Sequence, residues 1–276
     1  MLHIMTVHWQ DDQWIDVQLK YLHNHIEQPF KVYAYLNDLP RDHRDKFFYS
    51  STEPIVSHAI KLNLLAEIAH FHADGPDDWL MFIDGDAFPI GDIVAFGRDK
   101  LSTYPLLAIQ RKENNGDMQP HPSFCLTTMK FWREIGGDWK KGHKWLNPQG
   151  RLKSDVGGNL LGILAEKNLD WYPMLRSNKR NLHPLFYGVY EHLVYHHGAG
   201  FREPLCRVDK RTRIGSLGRR ISKGFQKLPH GTLAKNVRYK LDPVLRVKEQ
   251  NNQVSQQVWD MIESDPCFYN YFLQAD

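Results

Sequence analysis

The sequence predicts an α/β fold with a mostly parallel sheet, followed by a basic arm. Three observations carry this. Strand-like and helix-like stretches alternate over the first 110 residues, the pattern of strands joined by crossover helices. The five apolar residues Trp79 to Ile83 have the length and composition of a strand buried on both faces. Charge is also uneven: residues 205–250 hold 13 Lys and Arg against 3 Asp and Glu, a local balance of +10 in a chain of net charge +3. That division predicts a body over 1–204 and a basic, partly helical extension over 205–276.

The elements follow in order. Leu2 to Val7 reads as a buried first strand, broken by His8-Trp9-Gln10-Asp11-Asp12. Trp14 to His23 has helical spacing at Trp14, Val17, Leu19 and Leu22. Phe30 to Leu36 is a second strand, closed by the loop Asn37-Asp38-Leu39-Pro40. Ser57 opens an amphipathic helix running to His72, with its hydroxyl as N-cap. Leu106 to Gln110 is a further strand, Leu160–Glu166 a helix, and Val254 to Ile262 a final helix.

Composition excludes several classes. With 42% hydrophobic and 24% charged residues, the chain is neither disordered nor fibrous. A net charge of +3 is too small to point to nucleic acid. Cys125, Cys206 and Cys267 form no close pair, which predicts a reducing compartment and no metal knuckle. No apolar run approaches the roughly 18–20 residues that span a bilayer, and Met1-Leu-His-Ile lacks the basic start of a secretion signal. A cytoplasmic protein is the expectation.

The most informative segment is Asp78-Trp-Leu-Met-Phe-Ile-Asp84-Gly85-Asp86-Ala-Phe-Pro89. Carboxylates two residues apart in extended backbone project to one side. At the carboxyl end of a buried strand, where open α/β sheets bind ligands, Asp84 and Asp86 suit a hard cation such as Mg²⁺ or Mn²⁺. Gly85 would leave room for a metal-bridged diphosphate; the bland alternative is a hairpin turn, since Asp-Gly favours one. A second element is His196-His197-Gly198-Ala-Gly200-Phe-Arg202. It offers imidazole for Mn²⁺, a tight loop, and a guanidinium for phosphate, or simply two histidines ending a strand. A third is Ser154-Asp155-Val-Gly157-Gly158-Asn159, where Asp155 either caps a helix or faces a ligand that the glycines admit. Trp132, Trp139, Trp145 and Trp171 are core or an acceptor platform.

In this order, Asp-x-Asp, acidic helix start, late histidine, the pieces resemble the metal-dependent glycosyltransferases of the GT-A fold over residues 1–204. The run His197-Gly198-Ala-Gly200-Phe-Arg202 is also similar to the His…Gly…Lys-Pro loop of glycogenin-like transferases, with Arg202 in place of that Lys and Glu203 before Pro204. The resemblance implies a Rossmann-like nucleotide half, Mn²⁺ or Mg²⁺, a UDP- or GDP-type sugar donor, and a glycan or glycolipid acceptor. It places Thr6, Val7 and His8 along the base and ribose, Asp38 by the base, and Lys61 toward the donor. Asp84 would approach the ribose and sugar and, with Asp86 and His197, hold the metal; His196 is the alternative ligand. Arg202 would add a second positive contact to the departing diphosphate. Asp155 would be the base of an inverting reaction, or orient the sugar in a retaining one.

Two other readings compete. In the first, Asp84 is the nucleophile of an Asp-dependent phosphatase, although such a motif wants Thr or Val where Phe88 stands. In the second, the chain is a non-catalytic carbohydrate- or membrane-binding module. From Arg211 to Leu228, apolar Ile214, Leu217, Ile221, Phe225 and Leu228 alternate with Arg213, Arg219, Arg220, Lys223 and Lys227. A helix there is basic and amphipathic, suited to an anionic membrane face or to packing on the acidic body.

Overall fold

The computed structural model describes residues 1–227 and 235–275. Its first half alternates as expected: β1 (Leu2–Trp9), α1 (Gln13–His25), β2 (Phe30–Asn37), β3 (Tyr49–Ser51), α2 (His58–Phe71) and β4 (Trp79–Asp84). Ser57 caps α2, its hydroxyl accepting from the Ile60 N–H at 3.4 Å. After the turn at Gly85-Asp86 come β5 (Ala87–Pro89), α3 (Ile93–Leu101), β6 (Leu106–Ile109), β7 (His121–Thr128) and α4 (Met129–Ile135). A small hairpin, β8 (Trp145–Leu146) with β9 (Leu152–Lys153), precedes α5 (Gly158–Glu166), β10 (Tyr172–Met174), β11 (Gly188–Tyr190) and β12 (Val194–His196).

Seven strands form one sheet in the order β10-β6-β7-β4-β1-β2-β3. Only β7 runs against the rest, so the sheet is mostly parallel. Every residue of β1 except Trp9 is buried, as expected of a central parallel strand covered on both faces. One face packs on α1 and α3 through Ile4, Leu22, Met81, Phe124 and Val94. The other packs on α2, α4 and α5 through Leu62, Leu65, Phe82, Trp132, Trp139 and Leu164. Trp139 is 0% exposed. Trp132 and Trp145 are buried too, and Trp171 is packed against the same core. Of the two readings open for the middle-third tryptophans, core or acceptor platform, their burial favours the core.

A second sheet, β11-β12-β5, is antiparallel. A third core joins it to the C-terminal segment: Trp14, Tyr21, Phe88 and Tyr195 bury against Val258, Ile262, Phe268 and Phe272. These last four lie on or beyond α9 (Pro243–Ser264), which is longer than the helix expected over 254–262 and is followed by α10 (Asn270–Leu273). Asp242 caps α9, accepting from the Val244 and Leu245 N–H groups, with Pro243 at the first helical position.

Between body and α9 lie a single turn, α6 (Arg207–Asp209), a π-helical stretch over 210–214, α7 (Gly215–Gln226) and α8 (Lys235–Leu241). The expected basic helix forms, beginning at Gly215; its last apolar position, Leu228, lies outside the described residues. Its docked side takes only part of the apolar stripe: Ile214 is buried and Phe225 half-buried beside buried Gly218 and Ser222, while Leu217 and Ile221 stay 69% and 42% exposed. All three cysteines are free. Among the described residues, no helix is long and apolar enough to cross a membrane.

Candidate active site

The Asp84–Asp86 turn leaves the main sheet at the carboxyl ends of β1, β2 and β4 and enters the second sheet. Gln18 on α1 shapes it, its amide N–H groups donating to the carbonyls of Asp84 (2.8 Å) and Ala87 (2.7 Å). The Gln18 oxygen in turn accepts from the Thr6 hydroxyl at 3.0 Å. A Cβ at Gly85 would lie 2.6 Å from the Val7 carbonyl oxygen, 2.8 Å from His8 Nδ1 and 2.8 Å from Phe201 Cζ. The missing side chain makes room for the protein's own β1 and for Phe201, not for a diphosphate as expected.

β12 pairs antiparallel with β5, placing His196 opposite Ala87. His196 Nε2 comes to 3.5 Å from both Asp84 Oδ2 and Asp86 Oδ1. The two carboxylates and this imidazole offer ligand atoms that all lie within 4.8 Å of one another. His197 does not join them, since consecutive residues leaving a strand point to opposite faces. Its backbone N–H donates to the Asp86 carbonyl at 3.0 Å. Its ring lies in the third core, 3.0 Å from both the Tyr195 hydroxyl and Ser255 Oγ and tilted against Trp14 with the ring centroids 4.5 Å apart. Burial pushes the His197 imidazole down to about 4, so it is neutral. The imidazole expected at position 197 is that of His196.

Asp86 is buried, and Oδ2 accepts from the N–H groups of Gly198 (3.0 Å) and Gly200 (2.9 Å). Burial by itself would raise its pKa. The facing His196 and these N–H groups outweigh that and hold the carboxyl well below the ordinary range. Gly200 is required sterically, because a Cβ there would sit 2.6 Å from Asp86 Cβ and 2.6 Å from Trp14 Nε1. The donor set of two carboxylates and one imidazole fits Mn²⁺ or Mg²⁺, the hard cations expected.

Cationic and imidazole groups surround the pair. His58, first residue of α2, reaches Asp84 Oδ1 with Nε2 at 3.3 Å. Arg111 is buried, and Asp84 is among the anions whose field keeps it charged. The His121 ring lies 6.4 Å from that of His196; burial first, then Arg111 and His196, push its pKa well below the ordinary value. Gln119, just before β7, is buried with both amide atoms unpartnered. The sequence reading missed His58, Arg111, Gln119 and His121, and Gln18 as well. Their placement depends on strand register and on two loops, and no local spacing signals it.

On the nucleotide side, the residues expected after the first strand lie in it. Thr6 and Val7 are buried within β1, and Thr6 is committed to Gln18. His8 is buried beside Gly85 with both ring nitrogens unpartnered, and burial pushes it down to about 4. Asp38, at φ 56°, accepts from Trp9 Nε1 at 3.1 Å. Lys61 on α2 is only 4% exposed; burial lowers its pKa and the charge of Asp38 opposes this. Among the described residues it has no carboxylate within ion-pair distance.

Asp155 is half-exposed, 3.6 Å from Lys141 Nζ, and accepts from the Val156 N–H at 3.0 Å. It does not cap α5; Gly157 does so with φ 85° and no side chain. The adjacent glycines again serve close approach of the chain to itself, since a Cβ on Gly157 would fall 2.1 Å from the Pro120 carbonyl oxygen. Arg202 is exposed at the end of the covering loop and donates to the Gly198 carbonyl at 3.3 Å.

A second cluster, His183, Cys206 and Asp209, also converges. It is a hydrogen-bonded hub. His183 Nδ1 accepts from the Leu185 and Phe186 N–H groups, so Nε2 carries the proton and donates to Asp209 at 3.1 Å. Asp209 also accepts from the Cys206 N–H, Asn251 and Arg213. A metal there would need the Nε2 lone pair and a proton on Nδ1, facing two donors. The residues do not fit one.

No family model matches the chain, and no curated protein does. Among solved structures, the chain is similar to the galactosyltransferase LgtC in complex with donor and acceptor sugar analogues, at 12% identity and TM-score 0.33 over 48% of this chain. It spans 59% of LgtC's length. It is also similar to the mannosyltransferase PcManGT from Pyrobaculum calidifontis in complex with GDP-Man and Mn²⁺, at 10% identity and TM-score 0.46, covering 94% of this chain and 71% of that one.

Proposed function

We propose that this chain is a cation-assisted glycosyltransferase that moves a sugar from a UDP- or GDP-type nucleotide-diphosphate donor to a hydroxyl of a glycan or lipid-linked acceptor. The observation that carries the reading is the convergence of Asp84, Asp86 and His196 at the carboxyl ends of parallel strands. Asp84, Asp86 and His196 would hold Mn²⁺ or Mg²⁺, which offsets the charge developing on a departing diphosphate. Lys61 and Arg202 supply positive contacts to the phosphates, and His8 and Asp38 border the ribose and base. Asp155 accepts the acceptor proton or orients the sugar. The phosphatase reading is weaker, because Asp86 already holds two backbone N–H groups and Phe88 is buried in the third core.

The basic helix supports a peripheral site of action at the inner membrane face. Along α7 and the residue after it, exposed Leu217 and Ile221 lie on one flank of exposed Arg219, Arg220, Lys223 and Lys227. This is the layout of a helix seated among anionic headgroups.

Thermal unfolding with UDP or GDP, with and without Mn²⁺, tests the catalytic reading. A metal-dependent rise in Tm that Asp86→Asn abolishes is expected. No response to either nucleotide, or an equal response without metal, would overturn it.

A further inference from the structure

On the far side of His197 from the carboxylates, between the start of α1 and α9, lies an open cavity of about 250 Å³. Its apolar wall is Trp259, half-buried and in edge-to-face contact with Trp14 at 4.9 Å. Its polar wall is three amides, Gln13, Asn252 and Gln256, and its floor is His197 and Ser255. Among the described residues, no carboxylate, ammonium or guanidinium lines it.

This lining is chemically selective. A pyranose has one face of C–H groups that packs on an aromatic ring, and an edge of hydroxyls that each donate and accept. Amides match that edge because they also do both. The side chains of Gln13 and Asn252 make no hydrogen bond among the described residues. Gln256 uses its N–H on Asp260 at 2.8 Å and keeps its oxygen. A phosphate or carboxylate ligand would find no counter-charge, and a purely apolar ligand would leave the amides desolvated.

The cavity is one residue layer from the candidate cation site. His197 forms its floor while its backbone N–H holds the Asp86 carbonyl. Trp14 donates Nε1–H to the Gly200 carbonyl at 3.3 Å, and the Gly200 N–H holds the Asp86 carboxylate. A ring seated here is close to the reacting centre without touching it. We propose that this cavity is a carbohydrate subsite that binds one sugar ring of the acceptor, a ring other than the one whose hydroxyl reacts. The acceptor assignment rests on the transferase reading above, whereas the sugar chemistry of the cavity does not.

Saturation-transfer NMR with the methyl glycosides of glucose, galactose, mannose and N-acetylglucosamine tests it on the full chain. At least one glycoside should receive saturation from the wild-type protein. The signal should fall at least tenfold in Trp259→Ala. The same loss is expected in the double variant Asn252→Ala, Gln256→Ala, whose changes lie on the exposed side of α9 and spare the fold. The Mn²⁺-dependent nucleotide shift in Tm should persist in the double variant. If no glycoside receives saturation, or the double variant retains full signal, the subsite is wrong. If glycosides bind and the variants lose them while neither nucleotide shifts Tm, the sugar subsite stands and the transferase reading falls.

Discussion

Replacing His196 and His197 separately by Ala should separate a ligand from a core residue. With Mn²⁺ and a UDP or GDP probe at 100 times Kd, linkage stabilises the wild type by about 2.7 kcal/mol. At roughly 2–4 °C per kcal/mol for a chain of this size, Tm should rise by about 5–10 °C. His196 Nε2 lies 3.5 Å from both carboxylates and supplies the nitrogen of a three-residue set. Partners one step removed from a metal already cost about 10–100-fold in affinity, so a direct ligand should cost at least about 100-fold. At the same concentrations His196→Ala then keeps about 0.4 kcal/mol of stabilisation, a shift of about 1 °C. His197 instead bonds Tyr195 and Ser255 and packs on Trp14. Its loss removes two hydrogen bonds at about 1 kcal/mol each and leaves a cavity costing a further 2 kcal/mol or so. The baseline Tm should drop by about 10 °C, with a ligand-induced rise of normal size. Differential scanning fluorimetry reads both numbers. If His197→Ala abolishes the rise and His196→Ala preserves it, the assignment is refuted.

Other expectations are independent of that pair. Gly200→Ala must displace the covering loop, because its Cβ would lie 2.6 Å from Trp14 Nε1. The loss of one charge-assisted hydrogen bond to Asp86 should cost about 1.5–3 kcal/mol in urea unfolding, together with weaker Mn²⁺ affinity. Asp12 is pulled down to about 2 by its hydrogen bond from Arg41, with burial opposing and His43 assisting. Its folded pKa lies below the unfolded one, so its contribution is complete above about pH 4 and is lost as pH falls toward 2. Urea unfolding of Asp12→Asn should therefore lose less stability than the wild type between pH 4 and 2. Arg219→Glu with Arg220→Glu should release the chain from phosphatidylglycerol vesicles by at least about tenfold in co-sedimentation, at about 1 kcal/mol per removed cation. Leu217→Ser with Ile221→Ser should do the same at unchanged charge.

What could be read in advance follows the range of the interactions involved. The Ser57 cap, the α2 periodicity and the apolar run of β4 are local, and they appear as expected within a residue or two. Asp84 and Asp86 were legible for the same reason, since their spacing and the strand before them are both in one short segment. His196 against His197 was not. Which neighbour faces the carboxylates is decided by the pairing of β12 with β5, about a hundred residues apart in sequence. The glycines misled in one consistent way: Gly85 and Gly157 admit the protein's own carbonyls and side chains. The tryptophans of the middle third were ambiguous because burial is not a local property. The early start of α9 was legible and overlooked, because Asp242-Pro243 is a cap followed by a first-turn proline.

The third core sets a schedule for a ribosome making this chain. Both faces of the main sheet close with residues up to Val194. Trp14, Tyr21, Phe88 and Tyr195 must wait for Val258, Ile262, Phe268 and Phe272 to emerge from the exit tunnel. At 5–20 residues per second, the roughly 60 residues between Tyr195 and Val258 alone take about 3–12 seconds. During that interval four large aromatic side chains beside the Asp84–Asp86 turn are open to chaperones, and a nascent chain stalled before α9 presents a greasy face to its neighbours.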